Sequence, residues 1–220
     1  MGLSAPGAVA AASPEEATEE HVVFVFATLE SHLSGTLGPE PAFRDAHTAL
    51  FVTWKVTATG RHATPRLRGC IGILEPRRLH TALRDYALTA ALHDKRFQPI
   101  GLAEVPGLEC TVSLLSCFEE AGGWDDWQVG RHGLIIEFSD PQTRVRRSGT
   151  YLPEVAHEQG WSKDAAIDSL IHKAGYDGPV DAALRSALRV TRYQSTACTL
   201  TYAEYTAAVG AQLQPQLVAA

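Results

Sequence analysis

The sequence predicts an α+β fold with a mainly antiparallel sheet and flanking helices. Several segments alternate apolar and polar residues as strands do. They outnumber the strand–helix–strand units that a parallel sheet would need. Some neighbouring segments are separated only by a short turn, as at Asp140-Pro141. A hydrophobic fraction of 45% with 20% charged residues is typical of a globular chain, so these segments are expected to pack into one folded domain.

The first half of the chain predicts a helix, two strands and a second helix. Ser13–Glu16 has the form of a capping box with proline at the first helical position, and the helix ends at Gly35. The run Val22–Phe26 would also suit a strand, because it is β-branched and aromatic, and the cap decides for a helix. The elements that follow are a strand over Leu50–Val56, a turn through Gly60 and Pro65, a strand over Leu67–Leu74 and a helix over Leu79–Ala90.

The second half predicts further strands, short helices and a closing helix. In order, these are a strand over Glu109–Leu114, a hairpin of Leu134–Phe138 with Arg144–Gly149, a helix from Pro153 to Gly160, a helix capped by Ser162 and ended by Gly175, an extended segment over Leu188–Thr199, and a helix that starts with the capping box Thr201-Tyr202-Ala203-Glu204. The predicted domain spans 13–206. Residues 1–12 and the Gln/Ala/Pro-rich tail 207–220 are predicted to be disordered.

Charge and composition exclude several classes of protein. The formal net charge is −6 and the pI is about 5.8, which argues against a chain that coats nucleic acid or an anionic membrane. No apolar run approaches the roughly 18 residues of a membrane-spanning helix. The four cysteines show no CxxC pair and the nine histidines no HxH or HExxH spacing, so we predict no metal site and no cofactor. The first twenty residues lack Lys and Arg, which predicts a reduced, intracellular protein.

The segment Leu67–Gly72 (Leu-Arg-Gly-Cys-Ile-Gly) is the strongest candidate site. On a regular strand Arg68 and Cys70 share one face, and Gly69 and Gly72 leave space in which a ligand or another backbone can approach. An arginine near a thiol can lower the pKa of that thiol, which favours nucleophilic or redox chemistry. The alternative is structural, with the cysteine as a small buried side chain and the arginine paired to a carboxylate.

Other charged residues extend this hypothesis. Asp94 and Arg96 follow the second predicted helix, where they either pair as a clamp on the loop or present Arg96 beside Arg68 as an anion pocket. Lys173 either adds a third cation to that pocket or complements the dipole of its own helix. His132, which lies in a turn, is the best candidate for a general base.

The segment Leu67–Gly72 matches the signature hexapeptide of the AMMECR family, and the chain is identified on this basis as a member of that family. Longer motifs extend the similarity to this family beyond the hexapeptide. The matches run in one order from about His21 to Tyr205. Further segments that match are Phe51–Lys55, Asp94–Phe97, Val112–Leu115, Gly130–Gly133, Thr150–Ala156, Glu158–Trp161, Arg192-Tyr193 and Tyr202–Tyr205.

The resemblance implies a two-part α+β domain and no settled biochemical activity. Members of the family have been linked with basic cellular machinery, and the vertebrate member is linked with the nucleus. This places the present chain in the nucleus, the cytoplasm or both. Prokaryotic relatives occur beside Memo-type proteins and radical-SAM enzymes, which implies a shared modification pathway.

Three functional hypotheses follow. The leading one is an accessory or regulatory factor that binds a protein or a small anionic ligand at the face of Arg68, Cys70 and Arg96. The second is a thiol-dependent enzyme that uses Cys70 as its nucleophile, with His132 or Asp94 assisting. The third and weakest is a factor associated with nucleic acid through the arginine cluster of the hairpin, Arg144, Arg146 and Arg147.

Overall fold

A computed structural model describes residues 14–57 and 64–217 of the chain. Its elements in chain order are α1 (Glu19–Ser34), β1 (His47–Val56), β2 (Arg66–Arg78), α2 (Leu79–Leu92), a 3-10 helix (Leu102–Gly107), β3 (Leu108–Glu120), β4 (Gly133–Ser139), β5 (Arg146–Tyr151), α3 (Pro153–Glu158), α4 (Lys163–Lys173), α5 (Ala182–Ser186), β6 (Arg189–Thr201) and α6 (Tyr202–Leu217). Among these residues, no helix has the length and apolar character that crossing a membrane requires.

The strands form one six-stranded antiparallel sheet in the order β2-β1-β3-β6-β4-β5. Strands β2 and β5 therefore form its two edges. The sheet curls, so that Cys70 on β2 and Thr150 on β5 line the same groove although they lie at opposite ends of the strand order. The predicted α+β class with a mainly antiparallel sheet is confirmed.

One face of the sheet is covered by helices in two separate cores. The first core packs α1, α2 and α6 against β1 and β3, and its largest fully buried side chain is Trp54, whose indole N–H donates to the carbonyl of Ala87 (3.1 Å). The second core packs the short helices around α4 against β4, with Ile136 and Leu170 at its centre. These two cores are the two parts of the domain.

The opposite, concave face has only a small apolar cluster. Ala49, Leu115 and Tyr193 are buried there, and Phe51 and Leu74 pack against them while remaining partly exposed. The members of this cluster come from strands and a connecting segment, not from helices. The partly exposed side chains of this cluster, Phe51 and Leu74, are therefore within reach of a ligand.

The N-terminal helix begins later than the sequence predicts. It starts at Glu19, and its N-cap is Thr18, whose backbone N–H donates to Nδ1 of His21 (3.0 Å). Proline at position 14 precedes the helix, while Ser13 lies outside the described residues. The helical interpretation of the aromatic run and the end at Gly35, where φ is 68°, are both confirmed.

The C-terminal boundary also differs from the prediction. Helix α6 begins with the expected capping box, in which the backbone N–H of Thr201 donates to the Glu204 carboxylate (2.7 Å). The helix then continues to Leu217, through much of the tail predicted to be disordered from 207. The predicted disordered segment 1–12 and the turn residue Gly60 lie outside the described residues. The 3-10 helix and α5 have no counterpart in the prediction.

Candidate functional site

A bulge in β2 separates the two main candidate residues. Trp54 of β1 pairs with Gly69, but the next residue along β1, Lys55, pairs with Leu67, which leaves Arg68 as an extra residue. A bulge of this kind interrupts the alternation of side chains. The side chain of Arg68 points into the loop after α2, whereas Cys70 lines the groove on the concave face. The prediction that the two side chains share a face is wrong.

The glycines on either side of Cys70 allow other segments of the chain to pack closely against β2. A Cβ atom on Gly69 would lie 2.0 Å from the carbonyl oxygen of Ala90, so this glycine allows α2 to pack directly on β2. A Cβ atom on Gly72 would lie 2.2 Å from the carbonyl oxygen of Leu50 and 2.4 Å from the ring of Phe51. Both glycines are therefore required for packing, and neither leaves a space that a ligand could fill.

Arg68 is a buried structural anchor. Its residue is 8% exposed, and its Nε and Nη2 atoms donate to the two carboxylate oxygens of Glu104 at 3.0 and 3.1 Å. Nη1 and Nη2 also donate to the backbone carbonyls of Gln98 (2.6 Å) and Pro99 (3.2 Å). The guanidinium in turn holds the pKa of the Glu104 carboxyl below its usual range. Since these contacts occupy the guanidinium, the predicted anion pocket of Arg68 with Arg96 does not form.

Asp94 and Arg96 form the predicted clamp, and it closes on the backbone of Cys70. The Asp94 carboxylate accepts from Nη2 and Nε of Arg96 (2.6 and 2.9 Å) and from the backbone N–H of Cys70 (3.0 Å). Nη2 of Arg96 also donates to the carbonyl of Cys70 (3.1 Å). The hydrogen bond from Arg96 is the main cause that lowers the pKa of Asp94 to about 2. An acid this strong is a poor general base near neutral pH, contrary to the predicted role.

The thiol of Cys70 is half-buried and is not activated by its neighbours. Its sulfur accepts a hydrogen bond from Oγ1 of Thr53 (3.1 Å). Burial raises the pKa of the thiol, and the opposing effects of Thr53, Arg96 and Lys173 are smaller. The pKa of the thiol is raised overall, so the predicted activation of Cys70 by Arg68 is wrong. Cys70 is best described as a neutral thiol in the wall of the groove.

Lys173 is the cation that the structure brings to the thiol. It is the last residue of α4, and its Nζ donates to the carbonyl of Thr150 (2.8 Å) while lying 4.4 Å from the ring centre of Tyr151. The side chain is exposed, yet partial desolvation of its ammonium, followed by the nearby Arg96, lowers the pKa of Lys173. In the part of the chain that the structure describes, Lys173 forms no salt bridge.

Three further residues complete this side of the site. The hydroxyl of Tyr193 donates to the carbonyl of Tyr151 (3.0 Å) and contacts Oγ1 of Thr150 (3.1 Å), and burial raises the pKa of that phenol. Glu154 at the start of α3 has a pKa raised mainly by burial and lowered in part by Lys55. All of these residues belong to motifs that match the family, but no local pattern links them to Cys70.

The resulting cavity is an open groove between the two edges of the curled sheet, which we call the β2–β5 groove. It has a volume of about 580 Å³. Its walls are mainly apolar, and Cys70 is the nucleophilic side chain among them. The residues that line it are Phe51, Cys70, Ile71, Gly72, Ile73, Leu74, Glu75 and Thr150.

His132 belongs to a different cavity, of about 430 Å³. Its Nδ1 accepts from the backbone N–H of Gln128 (3.0 Å), and burial followed by the nearby Arg192 lowers its pKa. The residues that line this second cavity include Glu119 and Asp126 but not Cys70. The structure therefore does not bring the predicted base to the predicted nucleophile.

The arginine cluster on the hairpin is split by the fold. Arg147 donates to the buried carboxylate of Asp140 through Nη2 and Nε (2.6 and 2.8 Å), so it holds the turn together. Arg144 and Arg146 are exposed. Two exposed arginines make a narrow basic surface, which gives little support to nucleic-acid binding. Within the described ranges, no group of three or more His, Cys, Asp or Glu residues could hold a metal ion.

Comparison with known proteins decides the family. The family model for AMMECR1 matches residues 10–198. The chain belongs to the AMMECR1 family. An uncharacterized protein of Arabidopsis thaliana is 52% identical over 189 residues, which cover 86% of this chain and 87% of that protein. An uncharacterized protein of Schizosaccharomyces pombe is 44% identical over 148 residues, covering 67% and 74%.

A solved structure shares the fold of this AMMECR1-family chain. It is the crystal structure of an uncharacterized protein from Pyrococcus horikoshii, with a TM-score of 0.70 and 29% sequence identity. The superposition covers 82% of this chain and 90% of that one. The two-part antiparallel architecture is therefore shared with a solved structure.

Proposed function

We propose that the protein is an intracellular accessory factor that binds a ligand with an anionic group in the β2–β5 groove. The observation that supports this proposal is the convergence of Lys173 and Arg96 beside Cys70. Arg96 donates to the carbonyl of Cys70, and Lys173 donates to the carbonyl of Thr150, which lines the groove together with Cys70. Both cations also oppose the rise in the pKa of the thiol, and Arg96 lowers the pKa of Lys173. Two like charges held close together repel each other, and an anion between them relieves that repulsion.

Both cations keep hydrogen-bond donors free for such a ligand. The ammonium of Lys173 has three N–H donors, and one of them is used on the carbonyl of Thr150. On Arg96, the contacts to Asp94 and Cys70 use Nε and Nη2, and Nη1 has no partner among the described residues. The Arg96 side chain is 56% exposed. A carboxylate or phosphate could therefore accept from both cations at once.

A thiol-dependent enzyme is a weaker proposal for this site. The pKa of Cys70 is raised and that of Asp94 is lowered, which is the reverse of what a nucleophile and its base require. His132 lines another cavity. The groove offers charge and an apolar wall, which suit binding better than nucleophilic attack.

The experiment titrates ¹⁵N-labelled protein with glutarate and with inorganic phosphate and follows the backbone amides of Cys70 and Thr150 by NMR. We expect saturable shifts at both amides. Lys173→Gln should weaken binding about tenfold, the effect of one lost charge-assisted contact of about 1.4 kcal/mol. The matched control is Lys163→Gln, at the other end of α4, where Nζ donates to the carbonyl of Asp125. Shifts that do not saturate, or equal weakening in both variants, would contradict the proposal.

A further inference from the structure

One edge of the sheet carries backbone groups that no part of the described chain occupies. Among the described residues, β2 pairs only with β1, so the backbone groups on its other side lie at the edge of the sheet, and Gly72 on this edge lines the groove. In an antiparallel pair, successive residues direct their N–H and C=O alternately toward and away from the partner strand. Cys70 directs both groups outward, as its contacts with Asp94 and Arg96 show. The pairing with β1 is regular from Cys70 to Ile73, so Gly72 also directs its N–H and C=O outward.

The clamp protects part of this edge and leaves the next part open. Unpaired strand edges attract other strands, and native proteins usually cover them. Asp94 and Arg96 cover Cys70 in this way. No backbone or side-chain hydrogen bond from the described residues reaches the outward groups of Gly72. The register with β1 is then interrupted beyond Ile73, so the open part of the edge is short.

We propose that the β2–β5 groove binds an extended peptide segment that carries a carboxylate, and that this peptide pairs with β2 at Gly72. The inference rests on the proposed function, since it names the class of ligand for the same groove. Two features of the groove, together with Lys173 beside it, match three features of such a peptide. The free N–H and C=O of Gly72 match a peptide backbone, the apolar walls formed by Phe51 and Leu74 match alternate side chains, and Lys173 matches the carboxylate.

The position of the cations determines at which end of the groove the carboxylate of the peptide lies. Lys173 donates to Thr150, which lines the groove, and it lies close enough to Cys70 for each to affect the pKa of the other. Gly72 and Leu74 extend the groove away from Cys70. A bound peptide therefore places its carboxylate near Cys70 and its apolar residues beside Leu74. The carboxylate is either that of the peptide C-terminus or that of an acidic side chain.

The test uses three synthetic pools of random octapeptides, each captured on the immobilised full chain and sequenced by mass spectrometry. One pool has a fixed internal glutamate and an amidated C-terminus. The second has no acidic residue and a free C-terminus, and the third has neither carboxylate. We expect one of the first two pools to be retained over the third, and which one it is identifies the source of the carboxylate.

The best retained peptide is then examined by fluorescence anisotropy and hydrogen exchange. N-methylation should weaken binding at least about tenfold at alternate peptide residues and little at those between, because only every second residue faces β2. Exchange of the Gly72 amide should slow when the peptide is bound. Lys173→Gln should weaken binding about tenfold, and the control Lys163→Gln less than about twofold.

Several results would overturn the inference. They are equal retention of all three pools, binding that tolerates N-methylation at every position, an unchanged exchange rate at Gly72, or a dimer in which β2 of a second copy occupies the edge. If glutarate and phosphate still give saturable shifts at Cys70, the peptide inference fails alone. If those shifts are also absent, the proposed function fails with it.

Discussion

The two sides of strand β2 differ in how their cationic side chains are buried and paired. On one side, Arg68 is buried and is occupied by Glu104 and two backbone carbonyls, so it fixes the loop that follows α2. On the other side, Lys173 is exposed, has one hydrogen bond, and stands beside a half-buried thiol. A cation that is buried and paired stabilises the fold, whereas a cation that is exposed and unpaired is available to a ligand. The difference separates Arg68, which stabilises the fold, from the cation beside the groove that we propose binds a ligand.

The largest loss of stability is expected from Gly69→Ala, on the side of β2 that packs against α2. The added methyl group would collide with the backbone of Ala90, so α2 would have to move away from β2. We expect a loss of about 3 kcal/mol in the free energy of unfolding, measured by urea denaturation. The control is Gly107→Ala, where a Cβ atom meets nothing within 4 Å. If Gly69→Ala were as stable as the control, the packing of α2 on β2 described above would be incorrect.

The next prediction compares the loss of each cation, Arg68 and Lys173. Arg68→Gln leaves backbone carbonyls and the Glu104 carboxylate without their donor, and we expect it to cost about 2 kcal/mol in the free energy of unfolding. Lys173→Gln alters an exposed side chain, and its effect should stay within about 0.5 kcal/mol. Urea denaturation of both variants gives the comparison. Equal losses in the two variants would remove the distinction between the two sides of β2.

The last effect is a pH dependence at the clamp. Folding lowers the pKa of Asp94 from its ordinary 3.8 to about 2, so its contribution to stability is complete above pH ~4 and is lost as the pH falls toward 2. The difference in free energy of unfolding between wild type and Asp94→Asn should therefore shrink over that interval. Asp140, whose pKa is also lowered to about 2, remains in both proteins and cancels. A constant difference across the interval would contradict the ion pair with Arg96.

Much of the fold could be predicted from local sequence, because the relevant signals lie within a few residues of each other. Alternation identified the strands around Trp54 and Leu114, and glycines at positions 35 and 175 ended their helices as expected. The N-cap at Thr18 was missed because its partner is His21, an unusual residue at that position of a capping box. The continuation of α6 over a Gln- and Ala-rich segment differs from the prediction because composition alone indicates disorder there.

The site could be predicted only in part, because its geometry depends on long-range pairing. The bulge at Arg68 is visible only in the register with β1, and without it Arg68 and Cys70 would be expected on one face. Cys70 and Lys173 were both recognised as candidates, but their meeting requires the sheet to curl until its edges approach. The position of Tyr193 in the site likewise depends on the pairing of β6 with β4.

Cys70 is a neutral thiol in the wall of a groove that we propose binds an anionic ligand. The most direct measurement is the rate at which iodoacetamide alkylates Cys70, followed by mass spectrometry against pH, with and without saturating glutarate. The exposed Cys117 provides the internal reference. We predict an apparent pKa for Cys70 above the free-thiol value of about 8.5, and a slower rate with glutarate at Cys70 alone. An apparent pKa below that value, or rates that glutarate leaves unchanged, would contradict the account.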